Sequence, residues 1–100
     1  MIRIRFFREA RRELLAAAVY YHESAADLGV RFANAVEKSL AIAARFPSAG
    51  SPGPEHTRKV MVKGFPYSIV YLEEHTGIAV VAVVHHSRRP GYWISRLEGT

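Results

Sequence analysis

Hydrophobic residues in the N-terminal half of the chain follow two different periods. Residues 2–6 alternate isoleucine or phenylalanine with arginine, which is the period-two pattern of a strand with one buried face, formed by Ile2, Ile4 and Phe6. From Arg8 onward apolar residues recur at steps of three and four, which predicts a helix. The stripe of this first helix is Ala10, Leu14, Ala17, Ala18, Tyr21 and Ala25. A second helical stripe is Leu28, Phe32, Ala35, Val36, Ser39, Ala43 and Phe46, so the pattern predicts an antiparallel helical hairpin.

The C-terminal half is typical of strands joined by short loops. Proline and glycine between Pro47 and Pro54 end the second helix and predict a loop. Residues 56–62 and 67–72 are strand-like, and residues 78–84 are apolar on both faces, as expected of a strand inside a sheet. The order β-α-α-β-β-β predicts a single α+β domain over residues 1–100, with two layers: the hairpin packs on one face of a mainly antiparallel sheet.

This layout leaves one face of the sheet to be explained. A single helical hairpin covers one face only, whereas residues 78–84 are apolar on both. An exposed apolar surface commonly marks a site for a protein partner. The alternatives are that the curvature of the sheet or the C-terminal tail covers this face.

Charge and composition narrow the class of protein. The formal net charge is +5, and no acidic residue occurs between Glu55 and Glu73 or between Glu74 and Glu98. Such a bias attracts nucleic acid or an acidic protein, although a basic cluster can also be a solvated face that aids solubility. The chain has no cysteine, which excludes disulfides and a thiol nucleophile. No apolar stretch approaches the length of a signal or a membrane span, so we expect a soluble, cytoplasmic protein without a membrane partner.

The densest group of chemically active side chains is residues 85–93, His-His-Ser-Arg-Arg-Pro-Gly-Tyr-Trp, directly after the interior strand. Arginine binds phosphate or carboxylate, and histidine exchanges protons near neutral pH. His85 and His86 should point to opposite faces if the strand continues, and they form a poor metal pair. We expect Trp93 to pack in the core. No spacing gathers three metal ligands, and we predict neither a metal nor a cofactor.

Over nearly its whole length the chain resembles the RelE/ParE superfamily, the toxin halves of bacterial type II toxin-antitoxin modules, which include plasmid stabilisation proteins. The features that carry the resemblance are the opening strand, the helical hairpin ending in Phe46-Pro47 with Gly50 close behind, Arg58 at the next strand, residues 66–71 (Pro-Tyr-Ser-Ile-Val-Tyr) and residues 85–90 (His-His-Ser-Arg-Arg-Pro). The resemblance implies a cognate antitoxin that masks the toxin by wrapping across its surface, in a toxin-antitoxin hetero-oligomer.

The superfamily contains two activities on a similar fold: one branch poisons DNA gyrase, and the other cleaves messenger RNA at the ribosome. The alanine-rich hairpin and the Pro66-Tyr67 strand are closer to the ParE-like branch, so we expect a gyrase poison. The predicted target-binding residues are Arg58, Lys59, Lys63, Arg88 and Arg89. In the alternative, a metal-independent endoribonuclease, the candidate catalytic residues are Arg58, His85, His86, Arg88, Arg89 and Tyr92. A third alternative is a relic that binds antitoxin but has lost toxicity.

Overall fold

The computed structural model describes residues 2–99, and its elements follow the predicted α+β order. The helices are α1, Arg8–Ser24, and α2, Ala26–Arg45; the strands are β1, Arg3–Phe6, β2, Ser51–Pro52, β3, Arg58–Met61, β4, Tyr67–Glu74, and β5, Gly77–His85. Short 3-10 turns occupy Pro47–Ala49, Pro54–His56 and Ile94–Gly99. The two-residue strand β2 lies inside the predicted loop and was not expected. No helix within the described residues is both long and apolar enough to cross a membrane.

The sheet is mixed, with the strand order β1-β5-β4-β3-β2. Strand β5 pairs in parallel with β1 and antiparallel with β4, while the β4–β3 and β3–β2 pairings are antiparallel. The mainly antiparallel sheet and the interior position of the apolar strand are therefore confirmed. Residues 78–83 are all buried, as their continuous apolar run indicated.

The predicted buried face of the first strand is wrong. Ile2 and Ile4 are 54% and 40% exposed, Phe6 is half-buried, and Phe7, just after the strand, is buried. Strand β1 is the edge of the sheet, whereas β5 is the strand that α1 contacts most. The hairpin therefore leaves the edge strand partly uncovered.

The core lies between the hairpin and the sheet. Ala10 and Ala17 on α1 and Phe32 and Val36 on α2 are buried against the sheet, which confirms the two predicted stripes. The predicted stripes are wrong at their C-terminal ends. Ala25 is an exposed linker in extended conformation, and Phe46 is 59% exposed. An aromatic cluster closes the core at one end, with ring centroids 4.9–6.2 Å apart. Its members are Tyr21, Phe32, Phe65 and Tyr67.

Beyond the end of β1, side chains replace the missing neighbour of β5. The Phe7 N–H donates to the Val80 carbonyl at 2.8 Å, and there the backbone pairing ends. Further along β5, the Val81 carbonyl accepts a hydrogen bond from Arg96 at 3.0 Å, and the Val83 N–H donates to Glu13 at 3.0 Å. A buried backbone group left without a partner is costly, so these contacts stabilise β5. Arg96 ties the C-terminal segment after β5 to the sheet, and Glu13 ties α1 to it.

Candidate functional site

A groove of about 970 Å³ crosses the face of the sheet opposite the hairpin. Its walls are the loop 49–54 at one end and the segment 85–94 at the other, and strands β3, β4 and β5 form its floor. Strand register places Ser68, Val70 and Val84 on this open face, because Tyr67 and Ile69 face the hairpin. Trp93, only 7% exposed, also lines the groove, so the C-terminal segment covers part of the apolar face.

The groove is electropositive. Its lining includes Arg58, Lys59 and Arg88 together with His85 and His86, and none of the described lining residues is acidic. A concave surface with one sign of charge attracts ligands of the opposite sign. Carboxylates of an acidic protein and phosphates of a nucleic acid both meet this requirement.

Arg58 begins β3 and lies opposite Tyr71 in the register of β4. Its guanidinium donates a hydrogen bond to the Gly50 carbonyl at 2.8 Å, and the side chain is half-buried. The residue therefore holds the proline-rich loop as well as contributing charge to the groove. Lys59, next along the strand, is exposed and faces the groove beside Val70.

The two histidines do point to opposite faces, as predicted. The His85 ring packs edge-on against Tyr67, with centroids 5.0 Å apart, whereas Nε2 of His86 lies 3.0 Å from Oγ of Ser68 on the open face. Nδ1 of His85 accepts the Ser87 backbone N–H at 3.0 Å, and the Ser87 hydroxyl lies 2.7 Å away. A backbone amide can only donate, so the proton of a neutral His85 ring resides on Nε2. Nδ1 of this ring is therefore already occupied and is a poor general base.

Arg88 and Tyr92 form a stacked pair at the C-terminal wall. The guanidinium carbon of Arg88 lies 3.8 Å from the centroid of the Tyr92 ring, within cation–π distance. The Tyr92 hydroxyl does not face the groove but donates a short hydrogen bond to the Glu13 carboxylate. Burial raises the pKa of Tyr92 to about 12, and the hydrogen bond to Glu13 and the negative charge of that carboxylate act in the same direction. The phenol therefore stays protonated at neutral pH.

The structure brings some of the predicted residues together and separates others. Arg58, Lys59, His85, His86 and Arg88 line the groove. Lys63 and Arg89 are exposed and lie outside its lining, as does Tyr92.

Glu13 and Arg96 were not predicted as site residues. The Glu13 carboxylate accepts two hydrogen bonds from the Arg96 guanidinium, at 2.8 and 2.9 Å, besides those from Tyr92 and Val83. Burial opposes ionisation of Glu13, but these hydrogen bonds and the charge of Arg96 outweigh it and lower the pKa of the carboxyl. One signal was available: Glu13 lies three residues after Ala10 and four before Ala17, on the buried stripe of α1.

Comparison with known proteins decides the family. A family model described as the ParE toxin of the type II toxin-antitoxin system parDE matches residues 4–90. The chain belongs to the ParE toxin family.

The fold of this ParE-family chain also occurs among solved structures. A chain of the chromosomal ParDE toxin-antitoxin system from P. aeruginosa is similar, with a TM-score of 0.69 and 13% sequence identity. The similarity covers 85% of this chain and 96% of the other, and at this identity it establishes the fold. No significant match to the sequence of a curated protein was found. The predicted superfamily is confirmed, the chain is a toxin of the type II toxin-antitoxin class, and membership implies an antitoxin partner.

Proposed function

We propose that this ParE-family chain arrests growth by binding DNA gyrase, and that a cognate antitoxin neutralises it in a hetero-oligomer. The observation that carries the proposal is the basic groove, with Arg58, Lys59 and Arg88 in its lining and no acidic residue among its described lining residues. We assign target binding to these three residues and to the flanking cations Lys63 and Arg89. Gyrase is a cytoplasmic enzyme, so we expect the toxin to act in the cytoplasm.

The contacts of the candidate catalytic side chains favour binding over catalysis. A general acid or base must reach the proton that it transfers. Tyr92 lies outside the groove lining and donates its hydroxyl to Glu13, and Nδ1 of His85 is occupied by Ser87. The groove therefore offers fixed positive charge more readily than a proton-transfer pair.

The proposal is tested by inhibition of purified DNA gyrase in a supercoiling assay, together with inducible expression in a bacterial host. We expect the wild-type chain to inhibit supercoiling, arrest growth and induce a DNA-damage response. Arg88→Ala should weaken all three effects. Arg31→Ala is the matched control, since Arg31 is exposed on α2 and lies outside the groove lining. Growth arrest with active gyrase and an early loss of translation would contradict the proposal.

One observation favours a second candidate, a metal-independent endoribonuclease. Arg58, His86 and Arg88 line the same groove, and His85 borders it although its ring packs on Tyr67. Arginine can stabilise the charge of a phosphorane-like transition state while histidine exchanges a proton. Ribosome-dependent cutting of messenger RNA, abolished by Arg58→Ala and by His86→Ala, would support this activity. A folded chain that binds antitoxin but neither arrests growth nor cuts RNA would instead be a non-toxic relic.

A further inference from the structure

We propose that Glu13 and Tyr92 are positioning residues that hold Arg88 at the wall of the basic groove and so set the strength of target binding. This inference rests on the proposed role of the groove. It assigns a role in target binding to the contact between helix α1 and the C-terminal segment.

Stacking on the Tyr92 ring restrains the side chain of Arg88. Its side chain is exposed, and an exposed arginine ordinarily samples many rotamers, which must be lost on binding. Here the planar guanidinium lies 3.8 Å from the Tyr92 ring centroid, which restricts the orientation of the group. A cation that is already oriented loses less conformational entropy when a carboxylate or phosphate binds.

Tyr92 is itself anchored by its neighbours. Its hydroxyl donates to the Glu13 carboxylate, and Arg96 lies on the ring at 5.3 Å. Glu13 stands on α1 and also accepts the Val83 N–H of β5 at 3.0 Å. The ring beneath Arg88 is therefore tied to both layers of the protein, although it belongs to a turn near the C-terminus.

Arg89 provides the internal contrast. It is the next residue, carries the same charge and is exposed, yet within residues 2–99 its guanidinium has no hydrogen-bond or ring partner. Arg89 also lies outside the groove lining. We therefore expect the loss of Arg88 to weaken binding more than the loss of Arg89, and a double-mutant cycle separates the effect of orientation from that of position.

The test is a double-mutant cycle with two functional readouts, growth arrest at matched protein level and inhibition of purified DNA gyrase. We expect Arg88→Ala and Tyr92→Leu each to raise the half-inhibitory toxin concentration about tenfold, and the double variant to lose no more than either single variant. Tyr92→Phe keeps the ring and should recover most of the activity lost in Tyr92→Leu. Glu13→Gln should retain more activity than Tyr92→Leu and less than Tyr92→Phe.

Two measurements distinguish a loss of positioning from simple unfolding of a variant. Arg88→Lys keeps the charge of an exposed residue but replaces the planar, stacked guanidinium by an ammonium group, so we expect it to fold normally and still lose activity. In NMR spectra of the wild-type toxin, the side-chain protons of Arg88 should be shifted upfield by the Tyr92 ring, and Tyr92→Leu should abolish this shift.

The outcomes separate this inference from the gyrase proposal. Independent, multiplicative losses in the double variant, full activity of Arg88→Lys, or the absence of the upfield shift in the wild type would overturn the positioning role. If the wild type arrests growth while gyrase stays active, only the gyrase proposal fails, and the cycle is read from growth arrest. A wild-type chain without either effect would overturn both.

Discussion

Tyr71 and Pro47 are joined by a hydrogen bond that links the sheet to the loop after α2. The fully buried Tyr71 hydroxyl donates to the Pro47 carbonyl at 2.7 Å. Gly50 lies directly against the same phenol: a Cβ atom built on Gly50 would be 2.3 Å from the Tyr71 oxygen and 3.0 Å from the Lys59 carbonyl. The loop that forms one wall of the groove is therefore positioned by a buried side chain of β4.

We expect Tyr71→Phe to lower the free energy of unfolding by about 1–2 kcal/mol, because the Pro47 carbonyl would lose its donor. Gly50→Ala should cost more than Tyr71→Phe, since the added methyl group overlaps the phenol in a packed site. Equilibrium denaturation in urea measures both changes. Ser48→Ala, an exposed change in the same loop, is the control and should stay within about 0.5 kcal/mol of the wild type. A wild-type stability for Gly50→Ala would show that the loop is not held in this way.

Much of the fold could be predicted because local periodicity reports which face of an element is buried. The helical stripes around Ala17 and Phe32 and the doubly apolar strand β5 follow this rule. The exposure of Ile4 could not be read in the same way, because it depends on β1 being the edge strand, which is a property of the whole sheet.

The candidate site, like the fold, could be predicted from the sequence only in part. Charge clustering found Arg58 and Arg88 because both fall in acid-free spans of the sequence, although Arg58 lies beside the loop 49–54 and Arg88 belongs to the opposite wall of the groove. It could not separate Tyr92 from the groove, because the direction of that side chain depends on a turn in which Gly91 has a φ of +75°. The partner of Tyr92, Glu13, lies 79 residues away in sequence, and no local pattern connects them.

The ionisation of Glu13 should make the free energy of unfolding depend on pH under acidic conditions. Its pKa is lowered in the folded protein from the ordinary 4.5, so its contribution is present above that value and is lost as the pH falls through the lower, folded pKa. We expect Glu13→Gln to lower the free energy of unfolding by about 2 kcal/mol at pH 7, since it leaves Arg96 without a counter-charge. Thermal melts between pH 2 and pH 7 should show a flatter acid limb for this variant.

Glu74→Gln is the matched control for the acid limb. Glu74 also has a lowered pKa, caused first by its hydrogen bonds from Arg5, but Arg5 is largely exposed and solvent screens the pair. We therefore expect a smaller loss of stability at pH 7 than for Glu13→Gln. Equal effects of the two changes would contradict a special role for the Glu13 contact.

The ionisation of Tyr92 should cause part of the loss of stability at alkaline pH. Its pKa is raised to about 12 in the folded protein, above the ordinary value of 10.0, so its contribution is complete below pH 10 and is lost between pH 10 and pH 12. Tyr92→Phe cannot ionise and should reduce the slope of stability against pH in that window. Burial also raises the pKa of Tyr67, so the variant should retain some slope. A slope identical to that of the wild type would exclude the raised pKa of Tyr92.

Arg58→Ala and Arg89→Ala should differ in their effects on folding. Both changes should weaken growth arrest, since each removes a predicted target-binding cation. Arg58 also donates to the Gly50 carbonyl, so its loss should lower the free energy of unfolding by about 1 kcal/mol. Arg89 is exposed, and its replacement should stay within about 0.5 kcal/mol of the wild type. Thermal melts beside growth assays measure this; large melting losses in both variants would mean that the arginines act mainly on stability.

Trp93 should act on stability whether or not antitoxin is bound. It is 7% exposed, packs in the core cluster and also lines the groove, so Trp93→Ala should lower the free energy of unfolding by about 3 kcal/mol. Antitoxin that binds the folded toxin raises the melting temperature of wild type and variant by mass action, and the difference between them should persist. Tyr20→Ala removes an aromatic ring that is 64% exposed and should leave melting nearly unchanged. Normal melting of Trp93→Ala with lost growth arrest would instead assign the indole to the working surface, because a side chain that contributes little to folding can be needed only for the target.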